Sequence, residues 1–314
     1  MFEKIVIVTR RTRLDGLVQR FNTFSQAKFY NQQAGVDVTD YEREHQAYQE
    51  SLGTARHSVE NGLKVHFLDR ELVPTYLFAA TDIVVAIGQD GLVANVAKYV
   101  GEQPLIGVNP DPERFDGVLL PFLADELEAA VDSVVRGSAR FRRATLAEAK
   151  LNDGQRLLAF NDLFIGAQTH VSARYKISLG GQSETQSSSG VLVSTGAGST
   201  GWLSSMYNMA SGMSEQDSSA RARRRPAIER PALDWEEERL LFVVREPFAS
   251  RHSSAGIVAG SIENSFELVL ESNMPLNGVI FSDGVEEDRL AFNSGSIARI
   301  RVAKERARLV VKAP

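Results

Sequence analysis

Four runs in the first third of the chain are nearly continuous in apolar and β-branched residues: KIVIVT (4–9), KVHFL (64–68), DIVVAI (82–87) and PLIGV (104–108). A strand that is apolar on both faces needs cover on both faces, which is the situation inside a parallel sheet flanked by helices. The segments between the runs carry such helices. Residues 10–62 are rich in Glu, Arg and Gln with helical character, and NGLKV (61–65) marks their stop; PTYLFAA (74–80) and LVANVAKYV (92–100) are further helix candidates. LADELEAAVDSVVRG (123–137) has apolar residues at helical spacing and closes on Gly137. The order βαβαβαβ predicts an α/β domain with a doubly wound parallel sheet over residues 1–137.

After Gly137 the texture changes. RLLAFNDLFIG, ARYKISLG, GVLVST, RLLFVVRE, AGIVAG, SFELVLE, NGVIF, RLAF, SIARIRVA and ARLVVKA are short β-type runs separated by Gly, Ser, Asn and Asp. They predict a second, mainly β domain over 138–314, with one helix after Thr200 and a last strand that returns to the first domain. Residues 213–238 interrupt the pattern with charge and proline, and read as a surface insertion; Arg221 and Arg223, Arg224 and Arg225 there are either a solvated face or a phosphate-recruiting patch.

Composition narrows the chemistry. A length of 314 residues fits one large or two medium domains, and a net charge of −5 argues against a general nucleic-acid or membrane-surface binder. The absence of cysteine excludes disulfides, thiolate nucleophiles and Cys-ligated zinc. His45, His57, His66, His170 and His252 show no metal-ligand spacing. The apolar run behind Met1 is too short for a membrane span or a signal segment, and the expected location is the cytoplasm.

Three places break the packing pattern in a way that invites a ligand. In VVAIGQDGLVANVAKYV (84–100) the apolar strand stops at Gly88, and Gln89, Asp90 and Gly91 follow. An Asp-Gly pair is a common hairpin signal, but no second alternating strand follows. Instead Val93, Val96, Ala97 and Val100 fall on one helical face. This is a strand–turn–helix at the carboxyl edge of a parallel sheet, where α/β folds bind ligands and a helix N-terminus favours anions. A Walker motif occurs nowhere in the chain, so Lys-assisted phosphate binding of that class is out. The second place is VLVSTGAGSTGWLSSMYNMA (191–210), formally G-x-G-x-x-G; the Arg-rich insertion that follows it, where a second parallel strand would be needed, argues against a Rossmann unit. G-x-S-x-G also fails, because Ala197 holds the first glycine position. A small-residue loop able to wrap a polar ligand remains. The third is Asn161-Asp162 within AFNDLFIG (159–166), either a β-bulge or a polar ligand contact.

Taken in order, Gly88-Gln89-Asp90-Gly91-Leu92, Asn161-Asp162 and Gly198-Ser199-Thr200 resemble the Gly-Gly-Asp-Gly-Thr turn, the Asn-Glu pair and the Thr-rich Gly-Ser-Thr loop of the NAD kinase family. IGVNPDPERFDGVLLP (106–121), SSG with STGAGSTGW (188–202), LLFVVREPFASR (240–251) and SDG before LAFNSGSIARIRV (282–302) are similar to its mitochondrial-type branch and bacterial relatives. The resemblance runs nearly end to end. It implies the two-domain NAD kinase architecture, with the ligand between an α/β domain that carries ATP and a β domain that binds NAD, and a homodimer. It implies ATP-dependent phosphorylation of the adenosine ribose 2′-hydroxyl of NAD to give NADP, with Mg²⁺ accompanying ATP. By the same resemblance Asp90 is the catalytic base. Asn161 and Asp162 hold the ribose and adenine side of NAD. Thr200, Gly201, Trp202 and Ser205 wrap the adenosine, and the backbone of Gly88 and Gly91 lies along the phosphates. Arg10, Arg11 and Arg13 follow the first strand, where the family places donor-phosphate contacts, with Arg11 carried forward as the binding residue.

Two departures fall at the chemistry. Gln89 replaces the family's second glycine and Leu92 its threonine. If position 89 required a left-handed backbone, a Cβ there would cost roughly 1–2 kcal/mol. Loss of the hydroxyl at 92 would cost on the order of 0.5–3 kcal/mol. The other reading of the chain is therefore a weak or inactive member of the scaffold that binds a dinucleotide as a regulatory module. A lipid or sugar kinase sharing the Gly-Asp-Gly turn is disfavoured by Asn161-Asp162 and the 196–202 loop.

Overall fold

The computed structural model describes residues 2–35, 37–59, 62–216, 231–263 and 266–312. Arg221, Arg223, Arg224 and Arg225, with most of the charged insertion, lie outside the described residues, as does Asn61 of the helix stop. The chain divides into two compact units, residues 1–142 with 308–314, and residues 143–307.

The first unit starts with β1 (Lys4–Thr9), α1 (Arg13–Phe21), α2 (Phe24–Gln33), α3 (Thr39–Val59) and β2 (Lys64–Asp69). The polar stretch 10–62 thus breaks into three helices, and the breaks have local causes. Thr12 and Asp15 form a capping box that opens α1, Asn22 turns left-handed at φ 64° to end it, and the Thr23 hydroxyl accepts from Gln26 N–H to open α2. Next come β3 (Asp82–Ile87), α4 (Asp90–Ala97), β4 (Pro104–Val108) and α5 (Leu127–Val135). The strands lie in the order β2–β1–β3–β4, all parallel, with β3 buried at every position. One face of the sheet (Ile5, Ile7, Val85, Ile87, Ile106) packs against Tyr48 and Ala55 of α3 and Leu127 and Val131 of α5.

The helix expected over PTYLFAA does not form. A 3-10 turn covers Arg70–Thr75, with Pro74 inside it, and the chain is irregular from Tyr76 to Ala80. Proline contributes no N–H to a helical ladder. The aromatic side chains anchor outward instead: Tyr76 stacks on His66 at 5.6 Å, meets Phe78 edge-on at 4.9 Å, and accepts a hydrogen bond from Lys4 Nζ at 2.7 Å.

The second unit is mainly β. Its elements are β5 (Arg140–Leu151, entering from the first unit), β6 (Arg156–Ala159), β7 (Asp162–Ala167), β8 (Ala173–Leu179), β9 (Gln182–Ser188), β10 (Val191–Ser194), α6 (Trp202–Gln216), β11 (Arg239–Val244), β12 (Ala259–Glu263), β13 (Leu268–Ser272), β14 (Gly278–Ser282), β15 (Val285–Ala291) and β16 (Ile297–Val311). Here β16–β13–β8–β9 form one antiparallel series, with β5 pairing both β16 and β6, and β12–β11–β10–β7–β14–β15 form a second sheet. Alternate residues such as Ile165, Tyr175, Ile177, Val193, Phe242, Ile280 and Ile300 fill one hydrophobic core. SIARIRVA and ARLVVKA fuse into the single strand β16, whose last residues belong to the first unit, where Arg308 and Leu309 pair in parallel with Pro104 and Leu105. Strands β5 and β9 are absent from the sequence expectations.

Candidate functional site

The turn after β3 is built by its neighbours within the first unit. Gly88 N–H donates to Val108 O at 3.2 Å, so β4 fixes where β3 ends. Gln89 then takes an extended backbone, φ −109° and ψ 163°, as the residue that opens α4. No left-handed conformation is needed at 89, and the cost it would have carried does not arise. Asp90 is the first residue of α4, where a carboxylate meets the positive end of the helix. Its Oδ1 accepts from Leu119 N–H at 2.6 Å. Among the described residues that is the one hydrogen bond its half-exposed side chain makes. Leu119 stands on the 109–121 segment, which folds back so that Asn109 N–H donates to Phe122 O at 2.8 Å and Asn109 Nδ2 to Phe115 O at 3.0 Å.

Gly91 faces open space, with nothing within 4 Å of where a Cβ would stand. Gly88 does not: a Cβ there would lie 2.9 Å from Leu92 Cδ2 and 3.3 Å from Arg10 Cδ. Leu92 is 3% exposed, so the side chain at the family's threonine position faces packed protein. Of the three arginines after β1, Arg10 is the one that reaches the turn. Its N–H donates to the Tyr48 hydroxyl at 2.8 Å, and that hydroxyl donates to Ile87 O at 3.2 Å. Burial pushes the Tyr48 phenol up to about 12, so it acts as a neutral link. Arg10 Nη2 meets Glu44 at 2.8 Å while its Nε is buried without a partner among the described residues. Burial works to raise the Glu44 carboxyl, but hydrogen bonds from Arg10 and Arg13 outweigh it and hold the group below its usual range. Arg11 points elsewhere, paired with Glu71 at 3.0 Å and with Gln19 at 2.9 Å. Arg13 pairs with Glu44 and Asp40, and Arg114 joins Asp40 at 2.6 Å.

In the second unit the Asn161-Asp162 break proves to be an anchored bend. The carboxylate of Asp283 accepts from three successive backbone N–H groups, Phe160 at 3.0 Å, Asn161 at 2.6 Å and Asp162 at 3.2 Å. Asp283 and Gly284 form the two-residue turn between β14 and β15, with φ 55° and 70°, the geometry expected of an Asp-Gly hairpin. Asp162 is 9% exposed, and burial, followed by the charge of Asp283, pushes its carboxyl up to about 7. The glycine loop is packed onto the bend. Thr195 N–H donates to Asn161 O at 2.9 Å, its hydroxyl donates to Phe160 O at 2.5 Å and accepts from Gly198 N–H at 3.2 Å. A Cβ on Gly198 would overlap the Asn161 carbonyl, and one on Gly196 the Asp234 carbonyl. Thr200, at the end of a 3-10 turn, and Gly201 are exposed. Trp202 opens α6 and stacks on Phe164, and exposed Ser205 reaches Gly201 O at 3.5 Å.

Within this unit the expected residues therefore cluster: Asn161 and Asp162 sit beside the 196–202 loop. Asp283, Thr195 and Phe164 carry no role in the sequence analysis. The Asp-Gly pair followed by a β-run is the signal that marks Asp283.

No family model matches the chain. Among curated proteins, mitochondrial NAD kinase 2 of Homo sapiens is 25% identical over 370 residues, covering 96% of this chain and 82% of that protein. The chain is similar to NAD kinases along nearly its whole length. Two solved structures share the fold. Yeast NADH kinase complexed with NADH superposes with a TM-score of 0.59 at 14% identity, over 100% of this chain and 84% of that one. An NAD kinase from Archaeoglobus fulgidus in complex with ATP gives 0.56 at 15%, over 98% and 93%. The α/β first unit and mainly β second unit are the two-domain NAD kinase architecture. The segments that resemble NAD kinases have physical roles in the fold: 106–121 carries the N–H that holds Asp90, and the SDG turn ties down the Asn-Asp bend.

Proposed function

We propose that the chain is an ATP-dependent NAD kinase that transfers the γ-phosphoryl group of Mg-ATP to the 2′-hydroxyl of the adenosine ribose of NAD. The near full-length relation to mitochondrial NAD kinase 2 supports the reaction class. The observation that carries the assignment is the Asp90 carboxylate, half-exposed at the head of α4 with one oxygen held by Leu119 N–H. The 2′-oxygen forms its bond to Pγ as the bond from Pγ to the β,γ-bridging oxygen breaks. ADP leaves, and the hydroxyl proton passes to Asp90. Mg²⁺ enters as part of the substrate Mg-ATP. Asn161, Asp162 and the 200–205 segment hold the adenosine. The backbone of Gly88 and Gly91 runs along phosphate, with Arg10 in place of Arg11 as the nearby cation, because the Arg10 side chain lies against Gly88 while Arg11 pairs with Glu71 and Gln19.

The test is NADP formation by purified protein with Mg-ATP and NAD, beside Asp90→Asn. The expected loss is about 10²–10⁴-fold. Equal rates for both proteins remove Asp90 from the mechanism, and no product from either removes the reaction.

The second reading, a dinucleotide binder without turnover, draws on Leu92, which lies against Gly88 on the buried side of the turn. It predicts binding by calorimetry without product, and a gain of activity in Gln89→Gly/Leu92→Thr. That variant should also lose about 2 kcal/mol of stability, because a buried leucine is replaced by a smaller, polar side chain. Denaturation of the variant separates the two effects.

A further inference from the structure

The outer face of the second sheet carries an arrangement that the proposed reaction does not use. Phe164 of β7 lies flat over Gly166 and Gly190, where any Cβ would come within 2.6 Å of its ring. Trp202 stacks on it at 5.6 Å with the planes 12° apart. The Arg245 guanidinium completes a near-equilateral triangle, 5.2 Å from the Trp202 ring centre and 5.7 Å from that of Phe164. Several other arginines are paired with acids: Arg114 with Asp40, Arg301 with Glu148 and Arg306 with Glu238. Among the described residues the half-exposed Arg245 side chain meets only the two rings. The carboxylate next in the chain, Glu246, turns away to the Ser189 hydroxyl and adopts a left-handed backbone, φ 49°, to do so.

A guanidinium held by contact with ring faces keeps its in-plane N–H donors available, and those donors match the paired oxygens of a phosphate. We infer that Arg245 is a nucleotide-recognition residue, binding a phosphate group of the adenine nucleotide whose adenosine is held at Thr200–Trp202. The inference rests on the adenosine assignment made above for that loop. The phosphate is either the 5′-phosphate of the nucleotide or a 2′-phosphate such as the product carries, and the chemistry of recognition is the same.

The experiment measures binding to the full chain of adenosine, adenosine 5′-monophosphate and adenosine 2′-monophosphate, by calorimetry and by the fluorescence of Trp202 and Trp235. Wild type, Arg245→Gln and Arg245→Lys are compared, with thermal melts to establish that each is folded. Wild type should bind at least one monophosphate about tenfold or more tightly than adenosine. Arg245→Gln should abolish that preference while adenosine affinity stays within about threefold, and Arg245→Lys should keep part of it. Whichever monophosphate is preferred identifies the position of the phosphate. Three results overturn the inference: no preference in wild type, a preference that survives Arg245→Gln, or an equal loss of adenosine and monophosphate, which leaves Arg245 only a support for Trp202. A chain that makes no NADP yet shows the Arg245-dependent preference refutes the kinase assignment and leaves this one standing. NADP formation without the preference does the reverse.

Discussion

Each unit of this protein has a glycine-bearing turn beside an acid, and the two are built on opposite logic. In the second unit the glycines at 196 and 198 exist because backbone packs on backbone; a methyl group at either would overlap a carbonyl. The acid there, Asp162, is buried, and its carboxyl is pushed up to about 7. In the first unit Gly91 has nothing within 4 Å, and Asp90 is half-exposed. A glycine that the fold requires reports on packing. A glycine that the fold does not require leaves room for something outside the chain. On this comparison the 195–202 loop is a close-packed platform and the 88–92 turn is the open one.

The sharpest way to break the comparison is the response of the buried acid to pH. The folded carboxyl of Asp162 titrates near 7, above the ordinary aspartate value it has when unfolded. Its protonated form is therefore favoured by folding. Its contribution is full below about pH 4 and is lost as pH rises through about 7. Asp162→Asn should flatten that slope and stabilise the protein at pH 8 by about 4 kcal/mol relative to its effect at pH 4. Thermal melts across the range measure it, and parallel curves for the two proteins would deny the burial effect. Next in size is Gly198→Ala. It should cost about 3 kcal/mol in chemical denaturation, because neither the loop nor the Asn161 carbonyl can retreat; a neutral result would mean that the loop is loose. The smallest change in stability belongs to Gly91→Ala. A glycine in the first turn of α4 with free space around it should accept the methyl group with a gain of about 0.5 kcal/mol. If ligand approaches there, NADP formation should still fall about tenfold or more. Unchanged turnover would show that the open space is not where phosphate lies.

Much of the first unit is legible as a pattern. KIVIVT, DIVVAI and PLIGV become β1, β3 and β4 because a strand with no polar face has only the middle of a sheet to occupy. The failures are equally physical. QSETQSS forms β9 because β8 supplies every partner, from Ala173↔Ser188 to Leu179↔Gln182, and an edge strand needs no apolar face. Gly180 and Gly181, both at positive φ, were the available signal of that hairpin. RFRRATLAEAKL, with residues that favour helices, is drawn into β5 by pairing with β6 and β16. PTYLFAA has helical spacing but loses the helix to Pro74 and to the contacts of Tyr76.

The candidate site divides along the same line. Asp90 between glycines at the end of a buried strand, and Asn161-Asp162 interrupting an apolar run, can be picked out from local residue order, since both depend on neighbours within a few positions. That Arg10 and not Arg11 reaches the turn, that Gln89 is unstrained, and that Leu92 is buried are outcomes of packing among residues tens of positions apart. The same holds for Asp283 gathering the N–H groups of 160–162 and for Arg245 lying on Trp202 and Phe164. Residue order settles which groups a turn presents, because backbone preference and hydrophobic period act over short range. Which of those groups end up bare, buried or paired is settled only when distant segments close over them, because desolvation and hydrogen bonding depend on what arrives from elsewhere in the chain.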